Sequence, residues 1–527
     1  MSADDGGLAP APAGIRLRPD PSLRTLEDGR VLLGGAPYRL LRLGEAGARH
    51  VAAWWDGIPV PDEPAPRALA RRLLTVGMAN PIPPGQDGPP PGGPRGSSSS
   101  GQSEPAAGRS EPSPGGQDGS SAHGEDEPSP GGSGLSAADV TVIIPVRDRQ
   151  AELARCLAGC TGLTTIVVDD GSTDAAATAA VAKAAGARYL HRPVSGGPGA
   201  ARNTGLAVAG TPLVAFVDSD CVPEPGWLNP LLGHFTDPLV AAVGPRITAA
   251  GHALSGGWLA GYEGQRSALD MGPTPSIVRP GSRVSYLPGA AMVVRRAAAS
   301  IGFATDMPVG EDVDFVWRLA ESGWQIRYEP AGTVGHEHRV ALDTWFSRRR
   351  DYGTSAAPLE LRHPGRVPAV SMSGWSALAW LAVAAGRPLP GAAVMAGTTA
   401  LLARRLQPVT TEAWPVALSL AGGGNIMAGR LLGSALARTW WPLALPAALA
   451  VRRSRLPLVA LLLAPPLLDW REKRPPMDPA RYVAARLLDD VAYSVGVWQG
   501  CLQHRTLRPL RPALWWRSRR DQPGGPG

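Results

Sequence analysis

The feature that most constrains the fold is an alternation of short apolar runs and helical stretches between residues 140 and 220. The runs VTVIIPV, TTIVVDD, ARYLH and PLVAFVD have the length of strands, and stretches with apolar residues at helical spacing separate them. Strands that alternate with helices in this way predict βαβ units, and continuous apolar strands predict a parallel sheet covered on both faces. The sequence therefore predicts an α/β, Rossmann-like core over residues 138–366.

A small unit precedes this core, over residues 15–82. The stretch VLLGGAPYRLLRLG predicts two strands joined by a turn at Gly34 and Gly35, and PRALARRLLTVGMA has leucines at helical spacing. Two short strands and a few helices in so few residues predict a winged-helix-like α+β module.

In the following segment, residues 83–136, 37 of 54 residues are Gly, Pro or Ser. Such a composition cannot offset the entropy lost on ordering, so we interpret the segment as a disordered linker.

Beyond residue 366 the chain becomes apolar, with arginines at the ends of its uncharged stretches. Among these stretches, residues 367–386 reach the roughly 20 residues needed to span a bilayer. The pairs Arg404–Arg405 and Arg452–Arg453 lie where positive anchors of membrane segments are found. We interpret residues 367–515 as a helical, apolar region associated with a membrane through hydrophobic hairpins. A soluble helical bundle rich in Ala and Leu is the alternative.

Composition excludes several classes of protein. The chain carries 52 Lys+Arg against 45 Asp+Glu, a formal net charge of +7. It has no lysine cluster and no basic helix interleaved with aromatic residues, so we expect no nucleic-acid partner. Its four cysteines contain no CxxC pair, which excludes a disulfide scaffold and a zinc ribbon and favours a reducing compartment. The first 30 residues lack the apolar segment of a secretory signal peptide.

Acidic residues follow two of the predicted strands at the point where each strand ends. Asp169 and Asp170 end the second strand, and Asp218 and Asp220 follow the run PLVAFV. Ligands of open α/β sheets bind beyond the carboxyl ends of the strands. Two like charges this close are costly unless a cation lies between them, and Mg²⁺ or Mn²⁺ would leave positions for phosphate oxygens. The alternative is an ordinary surface loop, because Asp-x-Asp is common there.

A glycine-rich segment, SGGPGAARNTG, lies between these two acidic pairs and leads into a predicted helix. The amides at the start of such a helix can face an anion, and Arg202 offers a permanently charged partner for phosphate. The segment matches neither the dinucleotide fingerprint nor a P-loop. A flexible turn before a helix is the alternative interpretation.

Two further groups carry side chains suited to chemistry. Glu311 and Asp312 come just ahead of a predicted helix, where the helix dipole alone would favour carboxylates. The sharper hypothesis makes one of them a general base over the ligand crevice. His336 and His338 follow a strand-like stretch, and one of them could complete a metal shell. The sequence HEHR lacks the H-E-x-x-H spacing, which excludes a zincin.

These motifs together resemble family 2 glycosyltransferases, which have a GT-A fold. The matching stretches are, in chain order, VIIPVRDR, VVDDGSTD, GPGAARNTGL, FVDSDC, PGAAMVVRR, GEDVDFVWRL and EPAGTVGHEH. The resemblance places Pro145, Asp169 and Asp170 at the nucleoside pocket, and Arg202 with Asn203 along the diphosphate.

The same resemblance implies the catalytic groups. Asp218 and Asp220 would hold the donor and a Mg²⁺ or Mn²⁺ ion, with His336 as an extra ligand. Asp312, next to Glu311, would be the base that deprotonates the acceptor hydroxyl. A single base with in-line attack would invert the anomeric centre.

More narrowly, the layout resembles the glycosyltransferases of the mycofactocin system, and residues 15–82 are similar to PqqD-like peptide-recognition modules. This resemblance implies transfer of β-linked glucose from UDP-glucose to a peptide-derived redox cofactor, with a precursor peptide at the N-terminal module. The apolar C-terminal region and the cysteine usage place the protein at the cytoplasmic face of the cell membrane, with a soluble cytoplasmic protein as the alternative. Sugar transfer to a polyprenyl phosphate or a cell-envelope glycan, and a non-catalytic peptide-binding scaffold, are the other hypotheses.

Overall fold

The computed structural model describes residues 8–83, 134–250, 257–338 and 341–516. The predicted linker, residues 83–136, therefore lies almost wholly outside the described residues. The predicted N-terminal module contains five short strands and two helices. These are β1 (Arg16–Pro19), β2 (Arg24–Leu26), β3 (Val31–Gly34), β4 (Arg39–Arg42), α1 (Glu45–Trp55), α2 (Pro64–Val76) and β5 (Ala79–Ile82).

The module folds around a small apolar core. Strands β2, β3 and β4 form an antiparallel sheet, and β1 pairs with β5. The hairpin predicted at Gly34 and Gly35 is present, because β3 pairs with β4 across that turn. Trp54 and Leu73, one from each helix, are fully buried in its centre.

The core is built on one nine-stranded sheet. Its first half contains β6 (Val140–Val146), α3 (Gln150–Ala158), β7 (Thr164–Asp170), α4 (Ala175–Ala184), β8 (Arg188–Arg192), α5 (Gly197–Val208) and β9 (Leu213–Val217). Its second half contains β10 (Cys221–Pro223), α6 (Asn229–Leu232), β11 (Val240–Ala249), α7 (Gly257–Arg266), β12 (Ser276–Ile277), β13 (Ala291–Arg295), α8 (Arg296–Ala299), α9 (Glu311–Glu321) and β14 (Gln325–His336).

The order of the strands places the acidic residues at one edge of the sheet. Along the sheet the strands follow the order β10-β14-β11-β13-β9-β6-β7-β8, with β12 also paired to β14. Strands β6, β7, β8 and β9 run parallel, which confirms the predicted βαβ units. Val146 is in register with Asp169, and Ile143 with Phe216. The carboxyl ends of β6, β7 and β9 therefore meet at the same edge.

Apolar side chains cover both faces of this sheet. One layer packs Ile144 and Val217 against Leu153 of α3, and the other packs Ile143 and Phe216 against α9 and its neighbours. Burial on both faces explains why the strand sequences are continuously apolar. The core is thus the predicted α/β architecture.

The C-terminal region is helical, as predicted. It contains α10 (Leu342–Thr354), α11 (Ala356–Arg362), β15 (Ser371–Ser373), α12 (Gly374–Ala384), α13 (Pro388–Leu406), α14 (Ala413–Ala435), α15 (Trp441–Ala450), α16 (Arg455–Lys473), α17 (Pro479–Gln503) and β16 (Ala513–Trp515). Within the described ranges, no helix is both long and apolar enough to cross a bilayer. The expectation that residues 367–386 span a bilayer is therefore not met, since that stretch contains β15 and the eleven-residue α12.

The N-terminal module is anchored to both other regions. Arg71 of α2 donates two hydrogen bonds, of 2.7 and 2.8 Å, to the buried carboxylate of Asp237 in the core. On another side, Leu33 of β3 packs with Leu406 and Val416 of α13 and α14. The module is thus held by a buried ion pair and an apolar contact.

Candidate active site

A cavity of about 1200 Å³ opens at the carboxyl ends of β6, β7 and β9. Its walls come from strand ends, from the start of α9, and from helices of the C-terminal region. Eight of the predicted site residues line it: Pro145, Asp170, Arg202, Asp218, Asp220, Glu311, Asp312 and His336. The structure therefore brings together residues as far apart in the sequence as Pro145 and His336.

Arg202 connects the first metal-ligand candidate to the start of α9. Its guanidinium is 2% exposed, and it donates to Asp218 Oδ1 at 2.6 Å and to Glu311 Oε1 at 2.7 Å. Burial opposes the charge of this guanidinium, but Asp218 and Glu311 outweigh that effect and raise its pKa. Arg202 is therefore a fixed cation between two carboxylates.

The two carboxylates respond differently to this cation. Burial in the cavity raises the pKa of Asp218, and the attraction of Arg202 only partly opposes it. Burial, together with the neighbouring charge of Asp312, raises the pKa of Glu311 to about 6. Glu311 is also 7% exposed and engaged with Arg202, so it is poorly placed to receive a proton from a ligand.

Asp220 is held from a different side. Its carboxylate accepts a hydrogen bond from Arg149, and its Oδ1 lies 3.7 Å from His336 Nε2. Burial alone would raise the pKa of Asp220, but His336 and Arg149 reverse this effect and lower it. The Nδ1 atoms of His336 and His338 lie 3.2 Å apart. Burial and the nearby His336 lower the pKa of His338 to about 3, so it stays neutral at physiological pH.

Asp312 is a partly exposed carboxylate of the cavity, as Asp218 and Asp220 are. It lies in the first turn of α9, and the preceding Gly310 has φ 86°, a conformation that favours glycine. The backbone N–H groups of Gly289 and Val313 donate to its two oxygens at 2.7 and 2.8 Å. These two donors fix the orientation of the carboxylate at the start of α9. Gly289 also links the two sides of the site, since its carbonyl accepts from Arg202 at 3.2 Å.

The glycine-rich segment is tied to the end of β7 through Asp170. This carboxylate accepts from the Ser195 hydroxyl at 2.7 Å and from the N–H of Gly197 at 2.8 Å. Arg192 Nε lies 3.1 Å from it. Asp170 therefore fixes the entry of α5 at the edge of the cavity, next to Pro145.

Two predicted site residues do not line this cavity. Asp169 is fully buried and accepts hydrogen bonds from the Ser172 N–H at 2.8 Å and from the Tyr189 hydroxyl at 2.6 Å. Burial alone would raise its pKa, but these hydrogen bonds outweigh burial and lower it. Asn203 accepts from the N–H of Phe303 and donates to its carbonyl, at 2.8 and 2.9 Å. The structure thus places both side chains in supporting positions.

Several residues that line the cavity were not identified as site residues from the sequence. Arg348 and Tyr352 of α10 form one such group, with the guanidinium 4.9 Å from the ring centre. Arg438 stacks over the ring of Tyr493 at 4.1 Å. Burial and the nearby Asp312 raise the pKa of Tyr286. For Arg348 and Tyr352 the sequence does carry a signal, the run SRRRDYG, in which three arginines and a tyrosine lie together near the end of the predicted core.

Asp218 and Asp220 have the chemistry of a magnesium or manganese site. In the part of the chain that the structure describes, no three His, Cys, Asp or Glu side chains come close enough to hold a metal by themselves. Mg²⁺ is commonly held by only one or two protein carboxylates, with water and substrate phosphates as the other ligands. Asp218 and Asp220 fit that pattern. His336 lies beside them, with its Nε2 atom 3.7 Å from Asp220 Oδ1.

Comparison with known proteins gives a family for this arrangement. Residues 141–299 match the family model described as "Glycosyl transferase family 2". The chain is 38% identical over 517 residues to the pre-mycofactocin glycosyltransferase of Mycobacterium tuberculosis strain H37Rv, which covers 95% of this chain and 98% of that protein. It is 28% identical over 210 residues to the succinoglycan biosynthesis protein ExoU of Rhizobium meliloti, covering 38% of this chain and 61% of that protein.

Solved structures give weaker matches. The mannosyltransferase PcManGT of Pyrobaculum calidifontis, in complex with GDP-Man and Mn²⁺, is 20% identical, with a TM-score of 0.32 over 55% of this chain and 87% of that chain. Glucosyl-3-phosphoglycerate synthase of Mycobacterium tuberculosis is 23% identical, with a TM-score of 0.29 over 42% of this chain and 79% of that chain. Structural likeness of this degree carries no conclusion about function.

Proposed function

Because this chain belongs to glycosyltransferase family 2 and its core has the GT-A fold, we propose that it transfers a hexose in mycofactocin biosynthesis. The donor in this proposal is UDP-glucose, and the acceptor is a peptide-derived redox cofactor. The observation that carries the proposal is that Asp218, Asp220 and Asp312 line one cavity at the carboxyl edge of the sheet. A transferase needs this combination, because one group must stabilise the leaving diphosphate while another, on the opposite side of the sugar, accepts the proton of the attacking hydroxyl.

The donor half of the cavity is suited to a nucleoside diphosphate. Asp218 and Asp220 would hold Mg²⁺ or Mn²⁺, and such an ion would neutralise charge on the departing diphosphate. Arg149 and Arg348 add cationic groups on the same side, since both line the cavity near Asp220. Their guanidinium groups are suited to bind phosphate oxygens.

Arg202 has a different role in this proposal from the one expected at the diphosphate. Because its charge is already shared between Asp218 and Glu311 in a buried position, it orients Asp218 for the donor. Pro145 and Asp170 lie at the end of the cavity near β6 and β7, which suits the nucleoside.

Asp312 is the base in the proposed reaction. Its backbone hydrogen bonds fix the carboxylate at the start of α9, where it lines the cavity. It would accept the proton of the acceptor hydroxyl while that oxygen attacks the anomeric carbon. One base and one attack from the face opposite the leaving group give inversion, so an α-linked donor yields a β-linked product. General-base catalysis of this kind contributes about 10²–10⁴ in rate.

The acceptor half is formed by the residues that the sequence did not reveal. Tyr286, Tyr352 and Tyr493 line the cavity together with Arg438. Aromatic rings and hydroxyl groups of this kind suit a substrate that carries both an apolar ring and polar groups. We place the acceptor between these tyrosines and Asp312.

A precursor peptide at the N-terminal module remains part of the proposal, with a restriction on where it can bind. Leu26, Leu33 and Leu40 of the three-stranded sheet pack against the α13–α14 hairpin. A peptide that bound this face would have to displace the hairpin. Other faces of the module are therefore the better candidates.

The proposal is tested by incubating the full chain with a panel of nucleotide sugars, with and without EDTA. We expect release of UDP from UDP-glucose in the presence of the peptide-derived acceptor, loss of release with EDTA, and recovery with Mg²⁺ or Mn²⁺. The anomeric configuration of the product, measured by NMR, should be β. Recovery of labelled product in the organic phase would support a polyprenyl acceptor instead, and no release from any donor would support the scaffold hypothesis.

A further inference from the structure

Helix α15 is a ten-residue apolar helix, WPLALPAALA, and none of its residues is buried. Leu443, Leu445 and Leu449 are 60, 56 and 65% exposed. A helix that is apolar on all sides is normally found inside a protein or a membrane, because water is a poor environment for it. This exposure points to a surface that something else covers.

The exposed apolar surface continues beyond the helix. Val451 and Leu456, which flank the turn into α16, are 41 and 83% exposed. We refer to the five residues as the α15 face: Leu443, Leu445, Leu449, Val451 and Leu456. The backbone of Arg453 lies against Gly386, which brings the first turn of α13, with its 82% exposed Leu389, to the same end.

Arginines surround that end of the α15 face. Arg387, Arg452, Arg453 and Arg455 are all exposed. The excess of positive charge extends over much of the C-terminal region, since residues 361–468 contain ten arginines and a single acidic residue. An apolar surface with a basic margin is complementary to an anionic lipid surface, which offers acyl chains and negative headgroups together.

The other end of α15 carries a groove with the features of a lipid contact. The groove has a volume of about 380 Å³ and is lined by Trp441, Trp498 and Leu502, among others. Trp441 Nε1 and the hydroxyl of the fully buried Ser494, in two residues that line the groove, are buried atoms without a hydrogen-bond partner among the described residues, so the groove presents an apolar surface. Tryptophan residues such as Trp441 and Trp498 are typical of the boundary between headgroups and acyl chains.

We propose that the α15 face inserts into the surface of an anionic bilayer, with α15 lying in the membrane plane. The arginines of the turn before α16 contact lipid phosphates, and the groove at Trp441 receives part of a lipid acyl chain. This contact is peripheral, and it is independent of the sugar-transfer reaction.

The test is flotation of the full chain with vesicles of phosphatidylcholine alone or with one third phosphatidylglycerol. We expect binding to the anionic vesicles that weakens as salt rises, because arginine–phosphate attraction is screened. Leu449→Glu should weaken binding about tenfold or more, since it places a charge among the acyl chains. Ile58→Glu is the matched control, because Ile58 is 55% exposed on the N-terminal module, and it should bind as the parent does.

Two further variants keep the test decisive. Leu456→Glu, at the most exposed position of the α15 face, should show the same loss as Leu449→Glu. Arg452→Gln with Arg453→Gln should reduce the preference for anionic vesicles roughly fivefold per arginine. Release of UDP from UDP-glucose in the absence of vesicles should be unchanged in all variants, which separates this proposal from the proposed reaction.

The proposal is overturned if the parent does not float with anionic vesicles, or if Leu449→Glu floats as well as Ile58→Glu. It is also overturned if the parent forms a dimer in solution that Leu449→Glu dissociates while neither binds vesicles. In that case a second copy of the chain covers the α15 face.

Discussion

Replacement of Arg202 by methionine is expected to destabilise the fold strongly. The guanidinium is 2% exposed, and the side chains of its partners, Asp218 and Glu311, are 30 and 7% exposed. Removing one member of a buried ion pair costs about 3–5 kcal/mol, because the other charge is left without compensation. For a domain of this size, such a loss lowers the melting temperature by roughly 6–20 °C.

The pH dependence of this loss identifies its cause. The pKa of Glu311 is about 6 in the parent, so at pH 7.5 its protonation costs about 2 kcal/mol, at 1.36 kcal/mol per unit. Without Arg202, the folded protein is more stable with Glu311 protonated than with Glu311 ionised, and protonation becomes easier as pH falls. The destabilisation by Arg202→Met should therefore be smaller at pH 5.5 than at pH 7.5, by about 2 kcal/mol.

The assay is thermal unfolding followed by tryptophan fluorescence at both pH values. Arg202→Met with Glu311→Gln should recover part of the loss, because no buried carboxylate is then left unpaired. The control is Arg147→Met, since Arg147 is 59% exposed in its pair with Asp148 and such pairs contribute at most about 1 kcal/mol. The reasoning is refuted if Arg202→Met loses no more stability than this control, or loses as much at pH 5.5 as at pH 7.5.

Three further outcomes follow from the structure, each checked by thermal unfolding. The pKa of His338 is about 3 in the folded state against 6.5 in the unfolded state, so the folded protein loses stability as pH falls below 6.5, by about 1.4 kcal/mol per pH unit. His338→Gln should therefore reduce the dependence of the free energy of unfolding on pH between pH 6.5 and 5. An unchanged dependence would contradict this account of His338. Gly496→Ala should cost about 1–3 kcal/mol, because its Cβ would collide with a backbone carbonyl of α10, whereas Gly422→Ala meets open space and should not destabilise. Arg71→Ala should cost about 3–5 kcal/mol by breaking a buried ion pair, whereas Arg49→Ala, in an exposed pair with Glu45, should cost less than about 1 kcal/mol.

The core and its acidic edge could be predicted because their signal is local. Each strand from β6 to β9 is a continuous apolar run that ends in a polar residue, and parallel strands bring those ends together. Asp169 and Asp170 show the limit of this reasoning. They are neighbours in the sequence, but side chains alternate along a strand, so Asp170 faces the cavity and Asp169 faces Tyr189.

The acceptor half could not be predicted because it is assembled from distant segments. Tyr352 and Tyr493 reach the cavity only because α10 packs closely along α17, where Gly353 and Gly496 allow backbone contact. No periodicity in either helix shows which partner it will have. The apolar runs of the C-terminal region likewise do not distinguish a membrane span from shorter helices, since both bury apolar surface.

The most direct test of the proposed mechanism is the rate at which the Asp312→Asn variant releases UDP from UDP-glucose in the presence of the acceptor. The Asp306→Asn variant is the control. Asp306 is a surface carboxylate, 73% exposed, that pairs with Arg362 away from the cavity lining. The account predicts that Asp312→Asn lowers kcat by about 10²–10⁴ with an unchanged KM for the donor, while Asp306→Asn keeps full activity. Full turnover by Asp312→Asn would contradict the role of this carboxylate as the base.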